Sequence, residues 1–216
     1  MRRFLIAIWL AAPLAGVVGA TLIDRIAVSV GNRVITETDL DREIRLTALL
    51  NNDKPDFTPG NKRETAERMV DQALVRNELE ASQYPPPSTA DIAAALAEEK
   101  ARYGNEAAYS RALAEHGVTE DELKARLMWQ LMLVRFIDVR FRPGIQISGD
   151  EIRKYFDEHM LPGLMQAHPD QTPSFDEHRA GIERTLAGQA ADQQVEQWLK
   201  EARRRTHIQY HDEVFR

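Results

Sequence analysis

The chain has 216 residues, with 28 Lys and Arg against 34 Asp and Glu, a net charge of −6, and no cysteine. That length suits one domain or two small ones. An acidic balance without a basic patch argues against nucleic acid as a partner, and the lack of thiols excludes thiolate catalysis, disulfides and Cys-ligated zinc.

The first stretch, MRRFLIAIWLAAPLAGVVGATLIDR, opens on Arg2 and Arg3 and continues as an apolar run from Phe4 to Ala20. Small residues close it at Val18-Gly19-Ala20. This is the layout of a secretory signal peptide over residues 1–20, cleaved after Ala20 to leave Thr21 as the mature start. The alternative is a retained anchor, for which the run is at the short limit. Next, Ile26, Val28 and Val30 alternate with Ala27 and Ser29, Gly31-Asn32 is a turn pair, and Val34-Ile35 resumes the apolar run. This pattern predicts a short hairpin. Two strands alone are marginal, and Thr206–Tyr210 at the far end of the chain is the candidate third strand.

Everything between reads as helix. A capping residue followed three positions later by an acid lets side chain and backbone satisfy each other's free groups. The pattern occurs at Thr36/Asp39, Asn61/Glu64, Ser88/Asp91, Thr119/Glu122, Ser148/Glu151 and Ser174/Glu177. Apolar residues at helical spacing follow the starts: Leu40 and Ile44, then Ala66 to Leu74, then Ile92 and Leu96, then Tyr109 to Leu113 in a short helix ended by Gly117. Pro85-Pro86-Pro87 is a spacer that no helix crosses. The fifth helix, from about Thr119 to Phe141, contains LMWQLMLVRFIDV and is apolar nearly all round, which predicts burial on most sides. A long amphipathic helix runs from Phe175 to about Arg204. Its Gly181 and Gly188 share a face and weaken it unless a neighbour packs close.

The sequence FDEH occurs twice, at Phe156–His159 and Phe175–His178. Adjacent helical residues point to different faces, so neither copy gathers its Asp, Glu and His on one ion. Acids favour a helix start, which accounts for Asp176 and Glu177; the first copy reads as the end of a helix that Pro162-Gly163 terminates. A metal site across the copies, drawing on His159, His168 and His178, is the sharper alternative. His207 and His211 flank the expected strand, where their spacing is roughly 13 Å. Glu98-Glu99 and Asp121-Glu122 read as solvated helix surface. No nucleophile elbow, phosphate loop or dinucleotide fingerprint occurs, so no catalytic residue, metal or cofactor is assigned. The functional lead is the Met and aromatic content of the fifth helix. Met128, Trp129, Met132, Phe136 and Phe141 would line an adaptable apolar surface, and plain core packing is the competing account of the same five.

Four stretches, in order, resemble the SurA-type periplasmic chaperone family. AVSVGNRVITETDLDREIRL is similar to that family's opening strand pair and helix start. STADIAAALAEEKARYG through EAAYSRALAEHGVTEDELKARLMWQLMLVRFIDVRF resembles the rest of its N-terminal helical domain. SGDEIRKYFDEH resembles the helix that follows, and FDEHRAGIERTLAGQAADQQVEQWLKEARRRTHIQY resembles the C-terminal helix and strand. Family members carry parvulin-type prolyl isomerase domains between the last two. Here only Met160–Pro173 separate them, too few for a fold of roughly a hundred residues.

The resemblance therefore implies a mainly α fold: a helical core over 21–145, a helix and short linker over 146–173, and a C-terminal helix and strand over 174–216 whose strand completes a small β ribbon with the N-terminal hairpin. It implies a periplasmic, ATP-independent, non-enzymatic chaperone without cofactor. Such a chaperone would hold unfolded polypeptides, outer-membrane β-barrel proteins above all. The alternative is an interaction module for one folded envelope partner, or a homodimer through swapped terminal helices.

Overall fold

A computed structural model describes residues 24–82, 84–167 and 173–216. The expected signal peptide, its cleavage point and His168 lie outside the described residues. The chain is mainly α with a small ribbon. Strands β1 (Ile26–Val30) and β2 (Arg33–Thr36) form the hairpin, and β3 (Ile208–Tyr210) pairs with β1 on its other side, giving an antiparallel sheet in the order β2-β1-β3. Val28 stands opposite both Ile35 and Tyr210. Gly31 makes the turn at φ +59°, where its N–H also donates to the His207 carbonyl at 2.8 Å. A side chain there would be strained.

The helices are α1 (Glu37–Asn51), α2 (Pro59–Ser82), α3 (Thr89–Ala101), α4 (Glu106–His116), α5 (Glu120–Arg140), α6 (Gly149–Tyr155), α7 (Leu161–Ala167) and α8 (Phe175–Arg205). Reciprocal capping boxes form at Thr36, Ser88, Thr119 and Ser148. Two expected boxes do not. Asn61 lies inside α2, which begins at Pro59, where a missing N–H costs nothing. Ser174 precedes α8, but its hydroxyl makes no cap hydrogen bond. Asn105, in no predicted box, caps α4 by accepting from Ala108 N at 2.9 Å.

Among the described residues, four apolar clusters hold the elements together. The sheet packs on α1, α2 and the end of α8 through Val28, Val30, Leu40, Val70, Leu74 and Val214. Leu46 and Leu49 of α1 meet Leu96, Tyr109, Leu123 and Leu127. Val75 and Leu79 of α2 meet Trp129, Phe136 and Phe141, with Trp198 of α8 against them. Ile152, Phe156 and Ile182 join α6 to α8. Helix α5 thus serves two clusters in succession. Burial on most sides does not hold for it, because Val134, Val139 and Met128 all face solvent.

Arg203 fastens α8 to α2. Its Nε donates to Asp71 at 2.7 Å, Nη1 to Glu67 at 2.8 Å and Nη2 to the Glu67 carbonyl at 3.0 Å. The Asp71 carboxylate above all, with Glu67, holds this guanidinium above its ordinary pKa.

Pro162-Gly163 does not end a helix. Between α6 and α7 the backbone widens into a π turn over Phe156–Met160, with the Leu161 N–H bonded to the Phe156 carbonyl. The extra residue shifts the hydrogen-bond register, so Pro162 falls in the first turn of α7, where its missing N–H and its ring are tolerated. Glycines 181 and 188 have no close neighbour: among the described residues a Cβ at either would meet nothing within 4 Å, so both weaken α8 without a packing contact in return.

Candidate functional site

Helix α2 carries Arg76, Leu79 and Glu80 on one turn, and α5 brings Met128, Trp129 and Met132 against them. The six line an open hollow of about 160 Å³. Met128 is 42% exposed, Met132 is partly buried, and Trp129, at 5%, forms the floor. The Arg76 guanidinium lies over the indole, 4.1 Å from the ring centroid, a cation–π arrangement that fixes a long side chain. Desolvation by the walls lowers the Arg76 pKa, and the positive Arg33 adds to it.

The five residues predicted to form one surface therefore divide. Met128, Trp129 and Met132 come together at the hollow. Phe136 and Phe141 do not line it; they lie deeper in the cluster that Trp129 and Met132 also join, against Trp198. Phe136 is fully enclosed, with edge-on neighbours Tyr84 at 5.7 Å, Phe141 at 5.5 Å and Trp198 at 5.4 Å. These rings offer a ligand no surface.

Around the hollow, charges are already committed. Arg33 pairs with Glu80 and also donates to Asn77 at 2.7 Å. Arg42 reaches Asp39 at 2.9 Å and Glu122 at 3.0 Å. Arg126 pairs with Glu43 at 3.2 Å, both largely buried. Sequence reasoning missed Arg76, Leu79, Glu80 and Arg126. Arg76 looks like any exposed helix charge in DQALVRNELE, and nothing local shows that α5 lays a tryptophan under it.

The remaining candidates resolve as structure. Glu99 is not solvated: it is buried and accepts from Arg102 at 2.8 Å. Glu122 is half of a capping box. The FDEH copies do meet, through their phenylalanines: Phe156 packs edge-on to Phe175 at 5.5 Å and stacks with His178 at 5.9 Å. His159 instead lies against Tyr155 at 5.0 Å. His211 approaches the Ser29 hydroxyl at 3.5 Å. Among the described residues no three His, Asp or Glu side chains converge as a metal site would require. Compared with known proteins, the sequence matches no protein-family model and no curated protein.

Proposed function

We propose that the chain is an exported, ATP-independent chaperone that holds unfolded polypeptides, outer-membrane β-barrel proteins among them, without isomerase activity. The observation that carries this reading is the open hollow of Met128, Trp129, Met132 and Leu79. An exposed methionine beside a rigid indole floor suits varied apolar side chains, because the thioether adapts its shape. Burying such side chains supplies weak, non-directional affinity without a nucleotide. The ordered resemblance to SurA-type chaperones, and the shortness of Met160–Pro173 against an isomerase domain, support the same reading. The net charge of −6 would keep a loaded complex soluble.

The test is light scattering from a urea-unfolded outer-membrane β-barrel protein diluted into buffer with and without the chain. Suppressed aggregation near equal molar ratio is expected, and Met128→Ser should weaken it while leaving the fold intact. Unchanged aggregation would overturn the reading in favour of a module with one folded partner.

A further inference from the structure

Three depressions converge on one side chain. The apolar hollow is the first. A groove of about 500 Å³ between α1, α2 and α5 is the second, with Glu43, Gln72, Arg126 and Trp129 in its walls. The third, about 390 Å³, runs beside Arg33, Val34 and Ile35 of β2, a strand at the edge of the sheet. Arg76 borders all three.

Among the described residues Arg76 has no ion pair and no hydrogen-bond partner. The carboxylates whose charge it feels most are Glu43 and Glu80, and each is already taken, by Arg126 and Arg33. A guanidinium presents five donors in a fixed fork that matches a carboxylate. Stacking on Trp129 holds that fork in place, so little side-chain freedom remains to be lost on binding.

We propose that Arg76 is a carboxylate anchor, and that the groove takes an extended internal segment of an unfolded polypeptide with an acidic residue two positions from a bulky apolar one. This inference rests on the chaperone reading and gives its site a sequence preference. In an extended chain, residues i and i+2 project from the same side, about 6.7 Å apart. With the acid on Arg76, the apolar side chain enters the hollow. An apolar cavity of roughly 150 Å³ takes a benzene ring, so a volume of about 160 Å³ admits one phenylalanine. The groove continues past Arg76 on both sides, towards α1 and towards β2, which favours a chain passing through over a chain end. The chain carries net negative charge, which repels an acidic client overall; at this junction Arg33 and Arg126 are balanced by Glu80 and Glu43, so the Arg76 charge is the one left to attract a carboxylate.

The test is fluorescence polarisation of peptides blocked at both ends, titrated with the full chain. One peptide carries Glu-Thr-Phe at its centre, the second Gln-Thr-Phe, the third Glu-Phe-Thr. The Glu-Thr-Phe peptide should bind about tenfold more tightly than Gln-Thr-Phe, the span of one hydrogen-bonded charge contact. It should also bind more tightly than Glu-Phe-Thr. In Arg76→Gln the first two should bind alike, and in the unaltered chain their difference should shrink with added salt. Equal binding of the first two to the unaltered chain overturns the anchor. So does a preference that survives Arg76→Gln, and so does binding confined to a fourth, control peptide, Glu-Thr-Phe with its C-terminal carboxylate left free. Absence of binding by all three overturns it as well. The light-scattering result then tells whether the chaperone reading fails with it, because suppression of aggregation does not require an acidic client.

Discussion

Phe136→Leu separates the two accounts of the fifth helix. If Phe136 were a contact surface for clients, the substitution would cost holding and spare the fold. The structure places it in the core with three edge-on aromatic neighbours. Each such pair contributes about 0.5–1.5 kcal/mol beyond area burial. One ring serves all three, so the contributions do not add fully. Leucine keeps most of the apolar burial but leaves a gap beside Trp198, and the net loss is about 2 kcal/mol. At about 2–4 °C per kcal/mol for a chain of this size, Tm falls by roughly 4–8 °C. Urea unfolding followed by far-UV circular dichroism measures the loss, and the midpoint should move at unchanged slope. The same variant, assayed below its midpoint, should suppress aggregation as the parent does. Stability within about 0.5 kcal/mol of the parent, together with lost suppression, would refute the placement of Phe136 in the core.

Two further predictions concern stability alone. Gly188→Ala should stabilise α8 by about 0.5–1 kcal/mol, since alanine spares backbone entropy and a Cβ there meets open space; a lowered Tm would mean that another element approaches that face. Acid should destabilise the fold through its helix starts and ion pairs. Hydrogen bonds from Lys100 and Lys124 hold Glu120 at about 2, against an ordinary value of 4.5. Glu122 and Glu151 are held low by their capping partners, the Thr119 N–H and the Ser148 hydroxyl. A depressed folded value means stability that is complete above the unfolded value and lost as pH falls towards the folded one. Tm should therefore hold steady down to about pH 5 and decline from there towards pH 2. A Tm unchanged at pH 2.5 would contradict these assignments.

Much of the fold is legible because its signals are local. A capping box needs four consecutive residues, and those at Thr36, Ser88, Thr119 and Ser148 formed as read. The hairpin follows from alternation around Gly31-Asn32, and the C-terminal strand from the need for a third partner. Failures came where two local signals compete. Pro59 is itself a good first helical residue and pre-empts the start expected at Asn61. Pro162 reads as a helix breaker, yet one residue inserted as a π turn lets the helical path continue past it. No pattern in the sequence announces that insertion, since the widened turn is a matter of hydrogen-bond register and leaves the residue types unchanged.

The site was half legible for a different reason. Met128, Met132 and Phe136 are four apart and form one stripe on α5, so periodicity alone treats them as equivalent. What distinguishes them arrives from elsewhere in the chain. At the Phe136 end, Trp198 returns on α8 and closes the stripe into a core. The fastening of Arg203 to Glu67 and Asp71 on α2 fixes where that return lies. At the Met128 end α8 contributes no wall, and α2 offers Leu79 with Arg76 and Glu80. The stripe there stays open, with a cation beside it. The boundary between core and open surface on α5 is thus set by a helix that begins more than thirty residues after α5 ends. An exposed methionine and a buried phenylalanine on one helix face are then two outcomes of the same periodic pattern, decided by long-range packing.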